Sequence, residues 1–149
     1  MTLQTSTISV DYGRDGFVFP FDIVSEGEAK ELRADLESAE TEFADHSEKL
    51  SIVRSYPARL LPSFDKLIRH PNLIDAVSRR SGPDVLVCGS GLFLKDANTP
   101  HYVSWHQDLT YLGLDDINTF TAWLALSAAT SERGYFLISP GTPKRSGIS

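Results

Sequence analysis

The hydrophobic pattern of this chain changes period once, at Ser81-Gly82-Pro83, and that change separates what can be helix from what can be strand. Before it, apolar residues recur at spacings of three and four, which places them on one face of a helix. Ser25 followed by Glu28 has the form of a capping box, and Val24 ahead of the cap can staple onto Ala29. Leu32, Leu36, Ala39 and Phe43 continue the stripe with charged residues opposite, so this helix is predicted to cover a core from one side. The acidic run over residues 37–45 reads as its solvated face. Residues 46–63 are irregular, and Pro57 and Pro62 are expected to break any long element there. A second helical region is predicted from about residue 63 to 80, interrupted at His70-Pro71, with Leu67, Ile68, Leu73, Ile74 and Val77 buried. Gly82 and Pro83 stand where residues just past a helix end should.

Beyond Pro83 the apolar runs are short and read as strands: residues 84–89, 92–95, 102–109, 120–126 and 134–139. A sixth short run, 16–21, could pair ahead of the first helix, and residues 1–10 read as an arm or edge strand. In the 120–126 run, Phe120, Ala122, Leu124 and Leu126 share one face, with Thr121, Trp123 and Ala125 on the other. Gly89-Ser90-Gly91 matches neither a nucleophile elbow nor a phosphate-binding loop and is expected to be a turn or bulge. Helices first and short strands afterwards give an α+β class, with N-terminal helices packed on a jelly roll, and 149 residues fit a single domain over 1–149. The five strands after Pro83 fall short of the roughly eight that a closed jelly roll needs. The jelly roll is therefore expected to be incomplete in this chain, truncated at its C-terminus.

Charge narrows the function. The formal charge is −6, the pI is near 5.1, and the 14 Lys and Arg residues are scattered, which argues against a nucleic-acid surface. The expected partner is a small-molecule substrate. No window has the length and apolarity of a membrane span or a signal peptide, so a cytoplasmic location is expected. The single cysteine, Cys88, sits in an apolar run and is expected to pack in the core.

The stretch with chemistry in it is Trp105-His106-Gln107-Asp108. Side chains two apart on a strand leave the same face, so His106 and Asp108 would converge on one point that could hold a metal ion. A histidine and a carboxylate are two of the three ligands in the facial triad of non-haem iron(II) oxygenases. Alone the pair is a weak signal. His101, His70 and His46 are read as surface or capping residues, and Asp115-Asp116, being adjacent, would point apart.

Taken in order, Lys95, Trp105-His106-Gln107-Asp108, Phe120-Thr121-Ala122-Trp123 and Pro140-Gly141-Thr142 resemble the phytanoyl-CoA dioxygenase family of iron(II)- and 2-oxoglutarate-dependent oxygenases. The resemblance is strongest over residues 91–142. It implies a double-stranded β-helix, a cupin-like jelly roll, with Fe(2+) as cofactor, 2-oxoglutarate as cosubstrate, and His106 and Asp108 as metal ligands. Aspartate at 108, where a halogenase keeps a small residue, implies a hydroxylase. Lys95 matches a lysine whose ammonium meets a carboxylate, and Trp123 an aromatic at the cosubstrate pocket. The family's second metal histidine and its 2-oxoglutarate-binding arginine lie beyond the Pro-Gly-Thr turn, where this chain has only Pro143-Lys144-Arg145-Ser146-Gly147-Ile148-Ser149. The fragment is accordingly expected to be inactive. Two alternatives stand beside this reading. One is a non-catalytic jelly-roll remnant or binding module, associating with itself through an uncovered sheet face; the other is a cupin-like metalloprotein with His101 as third ligand.

Overall fold

The computed structural model describes residues 12–95, 98–100, 102–113, 118–139 and 141. The first long helix, α1 (Glu26–Glu42), starts on the capping box read from the sequence. The Glu28 amide donates to Ser25 Oγ at 3.2 Å, and the Ser25 amide donates back to Glu28 Oε2 at 2.7 Å. Two amides that a helix start leaves without partners are thereby satisfied. Leu32, Leu36 and Ala39 are buried, while Lys30 pairs with Glu26 and Arg33 with Glu37 on the solvent side.

The region expected to be irregular folds instead as helices, and proline is the reason. After α2 (Ser47–Ser55) come α3 (Pro57–Leu60), α4 (Pro62–Ile68) and α5 (Pro71–Ser81). Each of the last three opens on a proline, whose missing N–H is no loss in the first turn and whose fixed φ suits a helix start. The preceding residues, Tyr56, Leu61 and His70, are non-helical, as a residue before proline should be. Pro57 and Pro62 therefore start elements where breakage was expected. The interruption at His70-Pro71 falls where the sequence placed it, and α5 ends at Gly82 with φ 90°.

The core is small and lies where these helices meet. Leu32 and Leu36 of α1, Ala58 of α3 and Phe64 of α4 form one buried cluster. Around it pack Leu61, Leu67 and Ile68, together with Leu92, Leu124 and Leu126 from beyond Pro83. Leu73, Ile74 and Val77 of α5 are only half-buried, because among the labelled helices α5 touches α4 alone. An Arg54 to Glu40 ion pair ties α2 to α1 at 2.6 Å.

Two hydrogen bonds fasten the second half to helix ends. The Leu92 amide donates to the Arg54 carbonyl at 3.0 Å, and the Ala58 amide donates to Ser90 Oγ at 3.3 Å. Residues 89–91 form no turn, contrary to expectation; Ser90 instead satisfies an amide that the first turn of α3 cannot. A helical turn at residues 12–15 closes the far side, with Tyr12 against Phe120 at 5.3 Å and the Gly141 amide on the Asp15 carbonyl at 3.0 Å.

Among the described residues, the runs read as strands form no paired strand. The face assignment of one of them nonetheless holds in part: Leu124 and Leu126 turn towards the helical core, while Thr121, Trp123 and Ala125 are exposed. Cys88 is exposed rather than packed, because residues 86–88 carry their apolar side chains outside the cluster. No described helix is long and apolar enough to cross a membrane.

Candidate metal centre

The chain bends at Trp105 and then enters a short helix, α6 (Leu109–Leu112), whose N-cap is Asp108. Asp108 has φ −56° and ψ −40°, so the strand expected over 102–109 does not run through it. Gly113, at φ 61°, stops α6 in the left-handed conformation that glycine adopts without penalty. An aspartate at an N-cap ordinarily accepts from the first-turn amides. This one makes no such cap bond, and its carboxylate is turned to other partners.

One partner is His106. Its Nε2 lies 3.2 Å from Asp108 Oδ1, so the convergence read from the sequence is present although a bend and a helix start produce it. The His106 side chain retains 21% exposure and that of Asp108 46%. Nδ1 of His106 stands 2.8 Å from the Ser104 carbonyl, and a carbonyl can only accept, so Nδ1 carries the proton. In the neutral ring Nε2 then presents a lone pair directly at a carboxylate oxygen. Two acceptors facing one another are unfavourable until a cation stands between them, whether a second imidazole proton or a metal ion. The ring edge packs on Tyr111 at 5.7 Å, which limits how far the imidazole can swing.

The spacing of these two donors suits neighbouring positions on a divalent ion. Two ligand atoms each about 2.1 Å from an octahedral ion and cis to one another lie about 3.0 Å apart. The observed 3.2 Å needs little adjustment. The histidine also has the carbonyl behind it that fixes tautomer and orientation in metal sites.

Asp108 has a further partner that the sequence reading passed over. Thr121 Oγ1 donates to Asp108 Oδ2. The available signal was the alternation in residues 120–126, where Thr121 is the one hydroxyl on the face away from the core. Lys95 and Trp123 are not brought to the His106–Asp108 pair. Both meet the next segment: Trp123 stacks on Phe136 at 5.6 Å, and the Lys95 side chain lies across Gly134, where an added Cβ would stand 2.8 Å from its Cδ.

Among the described residues no third His, Cys, Asp or Glu joins the pair. His70 accepts from the Asn72 amide at 3.2 Å and caps α5, His46 is exposed at the start of α2, and His101 lies outside the described residues.

A family model described as phytanoyl-CoA dioxygenase (PhyH) matches residues 12–148. The chain belongs to the phytanoyl-CoA dioxygenase family. The match takes in His106, Asp108, Thr121, Lys95 and Trp123 together, and it carries the dioxygenase theme of the family to this chain. No match was found among curated proteins or among solved structures.

Proposed function

We propose that this member of the phytanoyl-CoA dioxygenase family is an iron(II)- and 2-oxoglutarate-dependent hydroxylase domain acting on a small organic substrate, with a jelly roll as its catalytic fold. The observation that carries the reading is the 3.2 Å approach of His106 Nε2 to Asp108 Oδ1, with the imidazole proton held on the far nitrogen by the Ser104 carbonyl. His106 thereby offers a lone pair and Asp108 a negative charge at one point. Iron(II) held there would activate dioxygen, with 2-oxoglutarate as the electron donor: one oxygen atom would leave in succinate as the cosubstrate loses carbon dioxide, and the other would hydroxylate an unactivated C–H bond. The protein's part is orientation. Ser104 and Tyr111 hold the imidazole.

The test is equilibrium binding of Co2+ to the 149-residue chain and to its His106→Ala and Asp108→Ala variants. Each variant is expected to lose affinity by at least about tenfold, since each removes a ligand atom. Equal affinity in all three proteins overturns the metal reading.

A second reading has its own support. Phe93, Tyr102, Trp105, Tyr111 and Leu137 are all more than half exposed, which suits segments that bury against a second copy or a partner. As a non-catalytic module the chain would associate in sedimentation experiments, and His106→Ala would match the parent protein in both association and metal binding.

A further inference from the structure

We infer that Thr121 is a positioning residue for the metal-binding carboxylate, engaging Oδ2 of Asp108 so that Oδ1 alone is presented beside His106 Nε2. The inference rests on the metal-site reading of His106 and Asp108.

A carboxylate has two equivalent oxygens and a broad χ2, so by itself it can bind a metal through one oxygen or both. The difference matters here, because a facial triad keeps three positions open only if its carboxylate takes one. In this chain the two oxygens are made unlike. Oδ1 faces His106 Nε2 at 3.2 Å, and Oδ2 accepts the hydroxyl proton of Thr121. A hydrogen bond in the carboxylate plane occupies an Oδ2 lone pair and fixes the rotation of the group. The helix that follows makes no claim on the carboxylate, because the Asp108 side chain, though at the N-cap position, makes no cap bond to α6.

Thr121 suits the task. It is β-branched, so χ1 is restricted and the hydroxyl is delivered by a stiff side chain. Three and five residues on, Leu124 and Leu126 pack on the cluster formed by Leu32, Leu36, Ala58 and Phe64. The hydroxyl is thus referenced to the helical core, while His106 is referenced locally to the Ser104 carbonyl. The two ligands are held from different directions, which fixes their separation.

The experiment is Co2+ titration of the full chain by calorimetry, with ligand-field absorption recorded on the same samples, for the parent protein, Thr121→Val, Thr121→Ser and His106→Ala. Loss of an outer hydrogen bond to a metal ligand weakens binding by about 10- to 100-fold. That loss, with an altered ligand-field spectrum, is expected for Thr121→Val, and Thr121→Ser should return both to parent values. Because Thr121 is exposed, the unfolding temperature of Thr121→Val should stay at the parent value. Thr121→Ala is the second hydroxyl-free variant if the valine does not fold. Parent-like affinity and spectrum in Thr121→Val, with binding weakened in His106→Ala, overturn the role of Thr121 and leave the metal site standing. Failure of Thr121→Ser to restore binding also overturns it. Parent-like binding in His106→Ala overturns both the metal site and this inference.

Discussion

Replacing Leu36 by alanine tests whether α1 is docked as described. Leu36 retains 4% of its exposure and lies between Leu32, Ala58 and Phe64, so its side chain belongs to three helices at once. Truncation removes the equivalent of three buried carbons, about 2.4 kcal/mol at roughly 0.8 kcal/mol each. The hole closes only in part, because α1 is fixed at its start by the capping box and α3 and α4 by their proline turns. A residual cavity of about 30 Å³ adds roughly 0.7 kcal/mol at about 24 cal/mol per Å³. The expected loss is about 3 kcal/mol, or a fall of about 6–12 °C in unfolding temperature for a chain of this size. Circular dichroism at 222 nm reads it, with Leu137→Ala as the control. Leu137 is 58% exposed, so its truncation should change stability by no more than about 0.5 kcal/mol. A fall for Leu36→Ala no larger than that for Leu137→Ala would refute the packing.

Two further perturbations address the helix start and the Lys95 segment. The Ser25 amide and hydroxyl hold the Glu28 carboxyl below its ordinary range, with His70 adding a smaller pull. A depressed carboxyl contributes stability above the unfolded value of about 4.3 and loses it as pH falls through the folded value. The gap in unfolding temperature between the parent and Glu28→Ala should therefore be open at neutral pH and narrow in acid; a gap independent of pH would sink the argument. At Gly134, φ of 76° makes any side chain costly, by about 1–2 kcal/mol for alanine, whereas the Lys95 side chain above it is flexible and can move away. Gly134→Ala should then lose the same stability in the parent and in Lys95→Ala, and rescue by Lys95→Ala would show that contact, not backbone, sets the loss.

The parts of this molecule legible in its sequence are those decided by neighbours within four residues. The Ser25–Glu28 box, the Leu32 and Leu36 stripe, the break at His70-Pro71 and the stop at Gly82 all depend on local spacing. So does the His106–Asp108 convergence, although the backbone that achieves it is a bend and a helix start. Pro57 and Pro62 were misleading because proline ends a helix from inside but begins one from its first position, and which applies depends on what packs there. Pro57 is fully buried and Phe64 lies in the core, so tertiary contact decided for the beginning. Cys88 had an apolar run around it, and that run does not join the cluster. The Thr121 hydrogen bond crosses thirteen residues, and no period in the sequence encodes a meeting at that distance.

The helices touch mainly their neighbours in the chain: α1 with α2, α2 with α3, α3 with α4, α4 with α5, and across the group α1 with α4. Contacts of short sequence separation form early in folding. None of these contacts needs a residue after Ser81, so the group from Glu26 to Ser81 can close ahead of the longer-range contacts of the second half. Leu92, Leu124 and Leu126 then arrive at a surface that already exists, and Thr121 reaches Asp108 as one of the later events. The His106–Asp108 pair is thus reached last, on a helical platform closed by shorter-range contacts, so a defect in the helices acts on it through the order of folding as well as through equilibrium stability.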